Sequence, residues 1–156
     1  MIEVIIVSDN HGLTTPLELV KLKHPHADGF IHCGDSELSP QYLSGYYACT
    51  GNNDYYYQYP EYVIAEIKGI KFYITHGHQF YTNNRIEGLT KKAVNHHCMF
   101  ACYGHTHVYN VEENNGVTLI NPGSMRYNRD GTKPCYAQVL IDHDKITVNR
   151  CLVSDL

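Results

Sequence analysis

Cationic charge is scarce in this chain. Lys and Arg together number 12 against 16 Asp and Glu, a formal net charge of −4 with His neutral. A sequence-independent grip on a long polyanion needs a basic face. A nucleic-acid polymer is therefore a poor partner, whereas one small phosphate ester held through metal ions is not. Long apolar runs are also missing. Nothing approaches the ~20 residues of a membrane span, so no membrane partner is expected.

Paired cysteine spacing is absent as well. Cys33, Cys49, Cys98, Cys102, Cys135 and Cys151 are even in number, which invites a disulfide reading. No secretory leader precedes the strand-like N-terminus, and Cys98 and Cys102 lack the spacing of a zinc site. The other four sit in strand-like apolar runs, where a free thiol behaves as a small hydrophobe. The expectation is reduced thiols and a cytoplasmic protein. Repeats, linkers and low-complexity tracts are missing too. The reading is one domain spanning 1–156, a size that buries roughly 70% of its unfolded surface.

What is present alternates at first. Ile2–Val7 is an apolar, β-branched strand candidate. Thr14 or Thr15 can cap a helix with Pro16 in its first turn, ending near His24-Pro25. Strand Gly29–Cys33, a short helix at Pro40–Leu43 and strand Tyr46–Thr50 follow. This β-α-β-α-β order favours a parallel sheet. The remainder is richer in strands. Tyr62–Ile67 and Ile70–Thr75 flank the hairpin signal Lys68-Gly69. Asn84–His96 reads as a helix that Gly88 weakens, and Met99–Tyr103 as a buried strand. Val108–Glu112 and Val117–Ile120 flank a Glu-Asn-Asn-Gly turn, and Tyr136–Ile141 and Lys145–Arg150 flank His143-Asp144. An α/β fold of two mixed sheets packed face to face, with helices outside, satisfies this content.

Short polar clusters close many of these runs: Asp9-Asn10-His11, Gly34-Asp35, Gly51-Asn52-Asn53-Asp54, His76-Gly77-His78 and Gly104-His105-Thr106-His107. Open α/β sheets bind ligands at strand carboxyl ends. Side chains at i and i+2 of an extended segment point the same way, so Asp9 with His11, and His105 with His107, can each approach one ion. Carboxylate, amide and imidazole donors without thiolate suit Mn²⁺, Fe or Zn²⁺ better than Ca²⁺. Two divalent ions would more than offset Asp9, Asp35 and a bridging hydroxide, leaving a centre that attracts an anionic ester. A single ion would leave it repelling one.

These motifs resemble the calcineurin-like metallophosphoesterase superfamily, and most closely its small YfcE-like phosphodiesterase branch. Ser8-Asp9-Asn10-His11-Gly12 matches D-x-H, Cys33-Gly34-Asp35 matches G-D, and Gly51-Asn52-Asn53-Asp54 matches G-N-x-D. Thr75-His76-Gly77-His78 matches the H-G element, and Gly104-His105-Thr106-His107 matches G-H-x-H. Asn121-Pro122-Gly123-Ser124 looks like the branch's N-P-G-S turn. The resemblance implies a four-layer α-β-β-α sandwich. It also implies two divalent ions, Mn²⁺ foremost with Fe, Zn²⁺ or Ni²⁺ as alternatives. Asp9, His11 and His107 would hold one ion, Asn52, His76 and His105 the other, and Asp35 would bridge them. The implied reaction is hydrolysis of a small phosphodiester by a hydroxide shared between the ions.

The match departs at Asn53, where many members of the superfamily carry a proton-donating His. An amide cannot act as a general acid, and a positioned donor is worth ~10²–10⁴-fold. Diesters, or esters with a stable leaving anion, are therefore expected over alkyl monoesters, with Asn53 free to bond phosphate oxygens. His78 is the substitute acid or an outer partner of a ligand. Arg129 binds phosphate or forms a surface salt bridge. Tyr55–Tyr59, four tyrosines in five residues, is a substrate wall, an interface of a homodimer or tetramer, or a plain surface loop. Lone histidines such as His24, His32, His96 and His143 read as exposed or satisfied rather than metal-binding. Two other functions compete: a non-catalytic metal-binding scaffold, as in the eukaryotic retromer subunit of this branch, and a phosphomonoesterase.

Overall fold

The computed structural model describes residues 1–156. Its first sheet contains β1 (Ile2–Val7), β2 (Gly29–His32), β3 (Tyr46–Ala48), β9 (Cys135–Asp142) and β10 (Lys145–Leu152), in the order β10-β9-β1-β2-β3. The second contains β4 (Tyr62–Ile67), β5 (Ile70–Thr75), β6 (Phe100–Cys102), β7 (Asn110–Asn114) and β8 (Val117–Asn121), in the order β4-β5-β6-β8-β7. β1, β2 and β3 run parallel, as do β5, β6 and β8, while the flanking strands are antiparallel. Helix α1 (Thr15–Lys23) covers the first sheet and α2 (Arg85–Asn95) the second. No helix is long and apolar enough to cross a membrane.

The two-residue period of a strand builds this four-layer arrangement directly. Val4 and Ile6 of β1 face the second sheet, while Ile5 and Val7 face α1 with Leu17 and Val20. Phe72 and Ile74 of β5 point into the space between the sheets, and Tyr73 between them points out toward α2 with Leu89 and Ala93. Phe100 and Ala101 of β6 divide the same way. Fully buried Phe72 and Phe100 stack at 4.6 Å in the centre of the inter-sheet core. Gly29 lets the sheets approach closely: a Cβ there would lie 2.5 Å from Ile67 Cδ1.

Several local readings shift. β7 lies two residues later than expected, and it runs on to Asn114 because the turn is the pair Asn115-Gly116 alone, with Asn114 opposite Val117. Both turn residues have positive φ, +50° and +78°, the conformation of a tight hairpin that matches strand twist. β3 stops at Ala48 because Thr50 turns its amide to Pro60 O, off the ladder. Thr14 occupies the cap position of α1, but its hydroxyl makes no cap bond; its carbonyl accepts from Leu17 instead. Gly88 costs α2 some propensity yet has a packing reason. The Phe80 ring lies where a Cβ would be, 2.5 Å away.

Candidate metal centre

All the anticipated ligand positions lie at one edge of the molecule, where parallel strands end. Asp9 and His11 follow β1, Asp35 follows β2 and Asn52 follows β3; His76 follows β5, and His105 and His107 follow β6. Each sheet thus supplies part of the group. Neighbouring loops are laced together by backbone bonds: Asp9 N to Gly34 O, His11 N to Asp35 O, and Gly104 N to His76 O. His105 N donates across the gap between sheets to Asp9 Oδ2 at 3.1 Å.

The extended-backbone argument for Asp9 with His11, and for His105 with His107, does not hold. These four residues and Asp35 have φ between +42° and +71°. Non-glycine residues adopt this left-handed region at a cost of order 1–3 kcal/mol and cluster at functional sites. The side chains still converge, but through tight left-handed turns. Close approach elsewhere requires glycine. A Cβ on Gly104 would meet Ser8 Oγ at 2.1 Å and Asp9 Oδ2 at 2.5 Å, and one on Gly51 would meet Asp35 Oδ1 at 2.1 Å.

Asp9 is the hub. It is fully buried, and its Oδ1 lies 3.0 Å from His76 Nε2, 3.3 Å from His107 Nε2 and 3.7 Å from His11 Nε2. Asp35 Oδ2 lies 3.5 Å from His76 Nε2 and 3.9 Å from His11 Nε2. Two compact donor groups result, Asp9–His11–His107 and Asp9–Asp35–His76. Asn52 Oδ1 and His105 Nδ1 form a third contact at 3.2 Å. No Lys or Arg forms a salt bridge with Asp9 or Asp35; only imidazoles do.

Their surroundings shift the two carboxyls in opposite directions. Burial pushes the Asp9 carboxyl up, but hydrogen bonds to His107 and His76, the His76 charge and Ser8 outweigh it, and the group is held well below the usual range. Burial dominates at Asp35 and raises it, offset in part by His76. Burial, with the charges of His76 and Arg85, pushes His105 down to about 4, so its neutral imidazole binds a cation without first losing a proton.

Outer contacts fix which ring nitrogens face inward. His11 Nδ1 pairs with Glu37 Oε2 at 3.1 Å, and His107 Nδ1 with the Tyr127 carbonyl at 3.1 Å. Both leave Nε2 toward the centre, the arrangement of metal-binding imidazoles. These donors, their inward lone pairs and the absence of a neutralising cation fit divalent ions. Glu37→Gln is expected to weaken Mn²⁺ binding roughly 10–100-fold, measured by titration of the metal-free protein, without changing secondary structure by circular dichroism.

Sequence reasoning missed several supports. Asp54 accepts from Gly51 N, Asp35 N and Glu37 N, and so pins the third cluster to the second. Ser124 Oγ donates to Asp9 O at 2.8 Å, and Asn121 Nδ2 donates to Gly104 O, so the N-P-G-S turn fastens two ligand loops together. Arg126 donates from Nη1 to His11 O at 3.0 Å. Arg129 is exposed; it reaches the site only through its backbone N–H to His107 O, and no salt bridge holds it. Arg126 is therefore the arginine whose side chain reaches the rim.

Asn53 donates from its backbone N and from Nδ2 to Asp35, at 2.8 and 3.1 Å. One N–H of its side chain is thus engaged by a carboxylate, and the second remains. His78 Nδ1 lies 3.1 Å from His76 Nδ1. Buried His32 uses both ring nitrogens, accepting from Gly34 N and donating to Asn10 Oδ1, with burial pushing it down to about 4. His24 is likewise engaged, by Glu3 and Tyr136. All six cysteines are free, and five of them are buried.

Two packed mixed sheets carry an oxygen-and-imidazole centre at their shared carboxyl edge, a donor set suited to divalent ions. The chain belongs to the calcineurin-like phosphoesterase superfamily, whose domain model matches residues 2–144. It is 32% identical over 148 residues to a "Probable metallophosphoesterase YsnB" of Bacillus subtilis (strain 168), covering 93% of this chain and 88% of that protein. The crystal structure of a conserved uncharacterized protein of Streptococcus pneumoniae TIGR4, a predicted phosphoesterase, superposes with a TM-score of 0.91 at 31% identity, covering 97% of this chain and 90% of that one. Yfce, a phosphoesterase from E. coli, shares the fold, with a TM-score of 0.69 at 19% identity over 99% of this chain and 94% of that one. The superfamily resemblance and the four-layer fold expected from the sequence are borne out.

Proposed function

We propose that this chain hydrolyses a small phosphodiester, using a pair of divalent ions. Asp9, His11 and His107 would hold one ion and Asn52, His76 and His105 the other, with Asp35 between them. Asp9 Oδ1 lies within 3.7 Å of imidazoles from both groups, which keeps the two sets of donors adjacent. Mn²⁺ is the first candidate for such a donor set. When bound, the ions would supply a nucleophile by acidifying a shared water, and positive charge for the transition state. The observation that carries this reading is the convergence of three Nε2 atoms on one buried carboxylate oxygen.

The chain's own residues hold that arrangement. Glu37 and the Tyr127 carbonyl keep two imidazoles in the inward-facing tautomer. Asn53 anchors Asp35 through two donors. Arg126 spends one N–H on His11 O, and the rest of its fork is available to non-bridging phosphate oxygens. Nothing at position 53 can give a proton to a leaving alkoxide. His78 is occupied with His76, and its pKa is lowered by burial and by the His76 charge, which supports an outer-partner role over an acid role.

Turnover of bis(p-nitrophenyl) phosphate by the Mn²⁺-loaded chain tests the reading. A purified chain with no bound transition metal and no turnover after Mn²⁺ addition would sink the enzyme reading. Asn53→His is expected to raise p-nitrophenyl phosphate turnover relative to the diester by about tenfold or more. An unchanged ratio would mean that the missing imidazole does not set the preference for diesters.

A further inference from the structure

The chain leaves Asn52 and immediately presents Tyr55, Tyr56 and Tyr57, which are 78%, 91% and 42% exposed. This loop is anchored at both ends. Asp54 ties its start to Gly51, Asp35 and Glu37. At its far end Thr50 N bonds Pro60 O, and the Tyr59 hydroxyl donates to Leu38 O. Between the anchors lies a cavity of about 140 Å³ lined by Glu37, Asn53, Asp54, Tyr55, Tyr56 and Tyr57.

Two of those lining residues reach the metal centre directly. Glu37 holds His11, and Asn53 holds Asp35. A phosphate held at His11 and Asp35 would adjoin this cavity through Glu37 and Asn53. The lining also restricts what that group can be. Its charged members are both carboxylates, and no Lys or Arg contributes, so a second phosphate would be repelled. Glu37 uses Oε2 on His11, which leaves Oε1 to accept from an amino or hydroxyl group. Tyrosine faces on a tethered loop stack on planar rings with little sequence or ring preference.

We propose that Tyr55–Tyr57 form the subsite for an uncharged aromatic ester group of the diester, a nucleoside. This rests on the phosphodiesterase reading for its substrate, but its test does not require turnover. Adenosine is titrated into the full chain, with Mn²⁺ and after chelation, and binding is followed by NMR shifts and calorimetry. Saturable binding is expected in both states, because stacking needs no metal. The combined Tyr55→Ala, Tyr56→Ala and Tyr57→Ala variant should bind about tenfold more weakly or worse, while the corresponding triple Phe variant keeps binding within roughly threefold.

Absence of binding, or equal binding by the triple Ala variant, would overturn the subsite. So would a triple Ala variant that changes only the oligomeric state, which would make the loop a subunit interface. Adenosine binding without diester turnover would keep the subsite and remove the hydrolase reading. Turnover without adenosine binding would do the reverse.

Discussion

Asp35→Asn is expected to lower kcat/KM for a chromogenic phosphodiester by roughly 10³-fold or more, because an ion's contribution to transition-state charge is worth several kcal/mol. The change is isosteric, and Asn53 N–H still finds an amide oxygen. Asn53 Nδ2, however, donates to Asp35 Oδ2, and there a second NH₂ group would face it. One negative charge disappears from between two imidazole groups, so metal occupancy by elemental analysis should fall together with the rate. Near-full activity would remove Asp35 from the shared position. The metal-free proteins offer a separate check. Burial raises the Asp35 carboxyl, so its charge adds less to the metal-free fold than that of Asp9, and the main loss on substitution is the bond from Asn53 Nδ2. Asp9 is held low by His107, His76 and Ser8 against the cost of burial, so its charge favours the fold. Asp9→Asn should therefore lower the melting temperature of the chelated protein more than Asp35→Asn does.

Phe100→Ala is expected to cost the fold about 3–5 kcal/mol, the usual range for deleting a buried ring. The ring is fully buried and stacks on Phe72 where the two sheets meet. Its removal leaves a void between surfaces that cannot both follow the missing atoms. For a domain near this size the loss corresponds to a fall in Tm of about 10–15 °C, measurable by calorimetry. Phe100→Leu keeps most of the volume and should recover the larger part of the loss. A Tm within about 2 °C of the parent protein would mean that the sheets settle onto the gap, and that the inter-sheet core is far more plastic than its packing suggests.

The order of elements was legible because period and punctuation agreed along most of the chain. Ile2–Val7, Tyr62–Ile67 and Ile70–Thr75 appear with their expected bounds, each an apolar run closed by a turn residue or polar cluster. Gly88 was misleading because its reason lies in Phe80, eight residues earlier in the chain but against it in space. The site's residue types were legible for a different reason. His, Asp and Asn at strand ends have few structural uses in such density. What holds them was not legible. Glu37, itself at φ +56°, reaches His11 only because the loops around it are left-handed. Arg126 rather than Arg129 reaches the rim because of how the chain turns after Ser124. Such turns depend on contacts between distant segments, and no local pattern in the sequence encodes them.

The donor of His105 N to Asp9 Oδ2 joins residues far apart in the chain and belonging to different sheets. Bringing such residues together costs the entropy of closing the intervening loop before the contact returns anything. The first sheet closes over a still longer span, with Ile2 opposite Ile141, and the donor groups assemble only when the two sheets dock in register. Metal capture would then report on completed folding, and a bound ion would act as a latch, slowing the parting of the sheets more than it hastens their meeting.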